Sequence, residues 1–172
     1  AMGRGIAQIA AQAGSLVRLV DNQPEASTQA KAALADQWDK LAAKGKLDAA
    51  QAQACKDRIQ LSTLADLADC QLVVEAIVER LDIKRALFAQ IEDIVPPNTV
   101  LATNTSSLSV TAIAAGLKRP AQLAGFHFFN PVPLMKVVEV IAGLKTDPAA
   151  VQALAQYARE MGHTPVQAAD TP

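Results

Sequence analysis

Short apolar runs alternate along the chain with longer stretches of helical spacing. Residues 2–13 carry apolar side chains at helical intervals, and Gly14 stands where such a helix would stop, before the run 16–20 that ends in Asp21. Residues 24–44 and 48–58 are rich in Ala, Gln and Lys and are broken by Gly45, a pattern that predicts a polar helical hairpin inserted between strands. Strands are predicted at 59–61, 72–76 and 100–103, with a helix at 82–94 and a turn at Pro96-Pro97-Asn98. A helix at 109–115, strands at 123–129 and 137–141, a helix at 147–161 and a strand at 164–168 complete the series. This alternation predicts an α/β fold of the doubly wound kind, a mostly parallel sheet with helices on both faces. No internal repeat or low-complexity linker interrupts it.

Composition narrows the class. A chain of 172 residues fits one domain able to bury most of its apolar surface, and 51% hydrophobic content argues against disorder. The apolar fraction leans on Ala, with one Trp and one Tyr, which suits helices packed closely on a sheet. A net charge of −1 predicts no nucleic-acid surface. Cys55 and Cys70 lack CxxC spacing, no metal-ligand set is apparent, and no cationic leader opens the chain, so reduced thiols and a cytoplasmic setting are expected. No apolar run approaches the ~18 residues that would span a bilayer, and no membrane partner is expected.

Chemistry concentrates between residues 104 and 141. Asn104-Thr105-Ser106-Ser107-Leu108, Gly125-Phe126-His127-Phe128-Phe129-Asn130-Pro131 and Val137-Val138-Glu139-Val140-Ile141 set a hydroxyl, an imidazole and a carboxylate at three successive apolar runs that a parallel sheet would bring together. Glu139 interrupts Val and Ile, where an ionised carboxylate is costly unless paired. His127, one of two histidines in the chain, is the simplest partner, and a carboxylate that holds an imidazole leaves the other ring nitrogen to move a proton. Taken singly, His127 also reads as a satisfied core histidine, and Glu139 as a strand-end cap or a partner of Lys136.

The opening segment Met2-Gly3-Arg4-Gly5-Ile6-Ala7 places glycines at a helix N-terminus, where backbone N–H groups and the helix dipole favour phosphate. Asp21 follows Gly3 by eighteen residues, a spacing that suits an acid accepting the hydroxyls of an adenosine ribose. This is half of a dinucleotide fingerprint, whose other half would precede Ala1, so the chain reads as opening in mid-motif. No Arg follows Asp21, which favours NAD over NADP.

The blocks Ala1-Met2-Gly3-Arg4-Gly5-Ile6-Ala7, Val73-Val74-Glu75-Ala76-Ile77-Val78-Glu79, Asn104-Thr105-Ser106-Ser107-Leu108 and His127-Phe128-Phe129-Asn130-Pro131-Val132-Pro133 resemble the nucleotide-binding domain of the 3-hydroxyacyl-CoA dehydrogenases, including 3-hydroxybutyryl-CoA and phenylacetate-pathway members. The likeness runs the length of the chain. It implies a Rossmann-like domain and NAD-dependent oxidation of an (S)-3-hydroxyacyl-CoA. His127 would be the catalytic base, Glu139 its paired acid and Ser106 the serine that meets the C3 oxygen and the nicotinamide, with Asn104 in the same loop. Met2 and Gly3 would form the pyrophosphate turn, Asp21 the ribose acid, and Glu79, Lys84 and Asn130 further NAD contacts. Glu79 and Lys84 also read as solvated helix-start charges, and Asn130 as a turn former. On the inserted hairpin, Lys40, Lys44 and Lys46 would meet the phosphates of the CoA tail, although lysines there also read as a solvated face.

Against the family pattern, the first strand and two glycines are absent at the start, and the chain stops at Asp170-Thr171-Pro172, where the family continues into an all-helical domain that supplies dimer contacts. Loss of a central strand would leave its two neighbours unpaired, with edges open to pairing between copies. A 172-residue piece of this kind is expected to be inactive alone, and the full-length protein to be a homodimer. Two rivals stand beside this reading. Relatives such as 3-hydroxyisobutyrate or sugar-nucleotide dehydrogenases share the fold but use Lys or Cys, and non-catalytic relatives keep it as structural proteins, as lens crystallins do. Ser106, His127 and Glu139 together argue against both.

Overall fold

A computed structural model of the chain describes residues 2–170; Ala1, Thr171 and Pro172 lie outside the described residues. The elements follow in the order α1 (Met2–Gln12), β1 (Val17–Leu19), α2 (Pro24–Ala43), α3 (Ala49–Asp57), β2 (Ile59–Leu61), β3 (Leu72–Glu75), α4 (Leu81–Ile94), β4 (Val100–Thr103), α5 (Val110–Ala114), β5 (Leu123–Phe128), β6 (Val137–Ala142), α6 (Pro148–Glu160) and β7 (Thr164–Ala168). Two 3-10 turns, Leu64–Asp69 and Pro120–Gln122, fall in segments without apolar periodicity and were not expected. Gly14 closes α1 at φ +100°, a left-handed conformation that costs glycine nothing. Asp48 caps α3 in a reciprocal box with Gln51, which accounts for the break between the hairpin helices.

The strands form two sheets. β1 pairs with β2 in parallel, and β3, β4, β5, β6 and β7 form a second sheet in that order. β1 and β3 do not pair with each other, so each presents one open edge, in place of a single continuous sheet. The second sheet is parallel throughout except at β5 and β6, which run antiparallel with Phe126 opposite Val140 and His127 opposite Glu139. A parallel placement of those two strands, expected from the sequence, is thereby corrected: the eight-residue connection 129–136 is too short to hold the crossover helix that a parallel pair requires.

Alternation along the strands divides the core. Ala124, Phe126, Phe128, Val138 and Val140 meet Ile6 and Ile9 of α1 and Leu154 of α6 on one face. Leu101 and Leu123 turn to the other face, against Phe88 and Ile91 of α4 and Ile113 of α5. A third cluster joins Ala7 and Ala11 of α1 to Leu34 and Trp38 of α2, Cys55 of α3 and Ile59 of β2. One helix, α1, thus feeds two cores with successive faces of its surface.

Candidate active site

Glu139 does not lie in a strand buried on both faces. Val138 and Val140 are almost fully enclosed while Glu139 keeps a third of its side chain exposed, because β6 buries only the face that carries its even-numbered valines. His127, on the facing strand, shares that outer face and is 17% exposed. The two meet across the ladder with Nδ1 of His127 2.8 Å from Oε1 of Glu139. An acidic acceptor at Nδ1 fixes the ring and leaves Nε2 directed away from it. Gly125, two residues before His127, is required by the same pairing: a β-carbon there would stand 2.8 Å from Cβ of Ile141 and 3.0 Å from Cγ2 of Val110.

The carboxyl ends of β3, β4 and β5 converge beside this pair. Asn104, just past β4, accepts the Phe128 amide through Oδ1 at 2.8 Å and so ties its loop to the strand that bears His127. Glu79, in the segment after β3, gathers the donors of the next three residues on one oxygen. Its Oε2 accepts the Thr105 hydroxyl at 2.8 Å, the Ser106 amide at 2.9 Å, the Ser107 amide at 3.2 Å and, more loosely, the Ser106 hydroxyl at 3.3 Å. Partial burial opposes charge on Glu79, but the Thr105 hydroxyl, the Ser106 amide and the Lys84 ammonium outweigh it and hold the carboxyl at about 2.

Lys84, expected among the cofactor contacts, lies inside the protein. It has essentially no exposed surface, and its ammonium lies 2.6 Å from Oε2 of Glu75 and 3.2 Å from Oε1 of Glu79. Two of its three donors are thereby directed to carboxylates of the protein, and Glu79 stands between it and solvent. Glu75 was not singled out in the sequence, although it carries the signal that drew attention to Glu139: a carboxylate closing an apolar strand, Leu72-Val73-Val74.

α1 points its N-terminus at the same end of the sheet. Gly3 faces Ala76, where a β-carbon would make an ordinary 3.7 Å contact, and Gly5 faces Val132, where one would come within 2.8 Å. Internal packing therefore accounts for Gly5 but not for Gly3. The bare backbone at Gly3 beside a helix N-terminus fits a phosphate group at close approach. Asp21, past β1, is exposed and spends one oxygen on the Gln23 amide at 2.8 Å. Its other oxygen is available to a ribose hydroxyl. Met2 adjoins Gly3 and is half-buried, while Asn130, past β5, is exposed and its peptide to Pro131 is cis.

Lys40, Lys44 and Lys46 are exposed. Lys40 pairs with Asp36 one helical turn away at 3.1 Å, and the hairpin that carries all three packs chiefly on α1 and β2. The structure does not gather them into a cluster with the His127 pair. Among the described residues no group of three or more His, Cys, Asp or Glu side chains could hold a metal ion, and no helix is long and apolar enough to cross a membrane.

Residues 1–171 match the family described as 3-hydroxyacyl-CoA dehydrogenase, NAD binding domain. Over 172 residues the chain is 44% identical to the 3-hydroxyadipyl-CoA dehydrogenase of Escherichia coli, covering 99% of this chain and 36% of that protein. It is 46% identical to a probable 3-hydroxybutyryl-CoA dehydrogenase of Deinococcus radiodurans, with 99% of this chain and 62% of that protein covered. A crystal structure of an (S)-3-hydroxybutyryl-CoA dehydrogenase from Ralstonia eutropha superposes with a TM-score of 0.95 at 38% identity, covering 99% of this chain and 60% of the other. The chain spans between about a third and three-fifths of the length of the curated relatives named here.

Proposed function

Since the chain belongs to the 3-hydroxyacyl-CoA dehydrogenase family as its NAD-binding domain, we propose that it carries the cofactor site and the general base for oxidation of (S)-3-hydroxyacyl-CoA thioesters to 3-ketoacyl-CoA. The observation that carries this reading is the 2.8 Å contact between Nδ1 of His127 and Oε1 of Glu139 in the middle of a strand ladder. Bound NAD supplies the acceptor for the hydride that leaves C3. As that hydride leaves, Nε2 of His127 takes the proton of the 3-hydroxyl, so negative charge does not build up on the oxygen. Glu139 stabilises the imidazolium that results and holds the ring in the orientation that presents Nε2. In the reverse direction the same nitrogen returns its proton to the ketone oxygen.

Ser106 belongs to the reading through its hydroxyl, which turns from its long 3.3 Å contact with Glu79 to the oxygen at C3. Asn104 keeps the loop against β5, while Met2, Gly3, Asp21, Glu79 and Asn130 make up the dinucleotide side. Lys40, Lys44 and Lys46 are the proposed contacts for the CoA phosphates. The reading extends to homodimeric assembly with a separate helical domain at full length, and to a cytoplasmic location, which the bacterial relatives support.

The test is NADH oxidation with acetoacetyl-CoA by the full-length protein and by its His127→Ala variant. Activity confined to the unaltered protein supports the reading. NADH binding without turnover in either would overturn it in favour of a structural relative or another substrate class.

A further inference from the structure

Strand β3 ends in a carboxylate with no surface at all. Oε1 of Glu75 accepts the Thr103 hydroxyl at 2.6 Å, while Oε2 accepts the Ile77 amide at 2.7 Å and the Lys84 ammonium at 2.6 Å. Lys84 passes the connection on, since its ammonium also reaches Oε1 of Glu79, and Oε2 of Glu79 collects the donors of Thr105, Ser106 and Ser107. A continuous polar chain therefore runs from the interior of β4, through β3 and the first turn of α4, to the loop that bears Ser106. Its two inner members have 0% and 1% of their side chains exposed, and only Glu79, at 35%, reaches solvent.

Burying two charges is an expensive way to hold a strand end, because apolar groups of similar volume would do so at least as well. What the charges add is direction. With Glu75 committed to Thr103 and Ile77, the ammonium of Lys84 has one place to stand, and that place turns one oxygen of Glu79 inward and leaves the other for the loop amides. Without the inner carboxylate, Lys84 would have to be accommodated by Glu79 alone, and the shared outer oxygen would be drawn off the loop. We infer that Glu75 is a positioning residue for cofactor binding: acting through Lys84, it orients the Glu79 carboxylate and thereby sets the loop of Thr105, Ser106 and Ser107 before any ligand arrives. The inference rests on the cofactor site proposed above, but the pre-setting of the loop is a property of the free protein.

The experiment is hydrogen exchange of the Ser106 and Ser107 amides in the free full-length protein, together with NADH binding by fluorescence, for Glu75→Gln and for Glu75→Gln/Lys84→Met. The single variant keeps the shape of Glu75 but leaves the Lys84 charge short of a partner, and the double variant removes both buried charges. Loss of an amide bond to a charged acceptor predicts exchange of those two amides at least about tenfold faster, and NADH binding about tenfold weaker, in both variants. The double variant should regain the melting temperature that the single one loses while keeping the fast exchange, a separation that a merely structural ion cluster would not give. Exchange and affinity that recover together with stability in the double variant overturn the inference, as do unchanged values in a folded single variant. If the single variant does not fold, the double variant decides by the same two readouts. Should the unaltered protein fail to bind NADH, the proposed function falls, while the exchange comparison still judges whether Glu75 sets the loop.

Discussion

Gly5 on the first turn of α1 and Val132 in the connection after β5 are packed so closely that a β-carbon on Gly5 would lie 2.8 Å from Cβ and 3.0 Å from Cγ2 of Val132. Val132 is 2% exposed and its carbonyl accepts a hydrogen bond from the buried His163 at 3.0 Å, so it cannot retreat. Gly5→Ala should gain about 1 kcal/mol of helix propensity but lose about 1–3 kcal/mol to overpacking. The expected outcome is a net loss in chemical denaturation. A variant of equal or higher stability would show that the helix and the loop part easily.

Removing the imidazole should act on turnover rather than on the fold. His127 is part-exposed and its only hydrogen-bond partner among the described residues is Glu139, so His127→Ala leaves no buried polar atom stranded. A drop of ~10²–10⁴ in kcat with an unchanged melting profile is expected. A rise in KM alone would remove His127 from the role of base.

Glu139→Gln keeps the length of the acceptor and removes its charge, and the loss of a charge-assisted hydrogen bond of roughly 1.5–3 kcal/mol predicts a kcat about 10–100-fold lower. Stability should change little, because Glu139 sits on the exposed face of β6. Steady-state kinetics of the full-length protein, run beside a denaturation curve, separates the two effects.

Acid should loosen the Ser106 loop before the sheet. Glu79 falls from an ordinary 4.5 to about 2 in the folded chain, so it contributes stability that is complete above about 4.5 and is lost as pH falls toward 2. Since a third of its side chain faces water, the contribution is on the order of 1–2 kcal/mol rather than the full value of the shift. Between pH 4.5 and 2 the Ser106 and Ser107 amides should lose exchange protection ahead of those in β4 and β5, and in Glu79→Gln that pH dependence should vanish.

Asp170 offers a comparable anchor at the other end of the described chain. It accepts the Val110 amide at 2.7 Å, the Thr111 amide at 2.9 Å and the Thr111 hydroxyl at 2.5 Å. Burial opposes its charge, but these bonds and the Ser109 hydroxyl hold its carboxyl below the usual range. Asp170→Ala should cost about 2 kcal/mol, read as a shift in the denaturation midpoint with an unchanged slope.

Local periodicity carried most of the element order, because Ala-rich helices and Val-rich strands differ in repeat. It did not carry direction. Nothing in Val137-Val138-Glu139 says whether β6 runs with or against β5, and only the eight-residue connection between them bears on it. Glu139 and His127 were legible because each is a rare polar residue in an apolar run. Glu75 and Lys84 stand nine positions apart on either side of a loop, and no repeat links them. Their pairing emerges only when β3 and α4 pack. Division of the strands between two sheets was legible, because half a dinucleotide fingerprint implies no strand between β1 and β3 to join them.

The antiparallel ladder that seats His127 opposite Glu139 also shapes what mutation can explore in this lineage. Backbone pairing on both sides of the two residues sets their separation, and the connection 129–136 fixes the register in which that pairing forms. A slip of one residue in β6 would swap its faces, putting Glu139 among the phenylalanines and a valine opposite the imidazole. Variation in register is thus lethal to the chemistry, and the connection that sets it is held in turn by Val132 against Gly5 and His163, so the segment beside the reacting centre has little freedom to change its length.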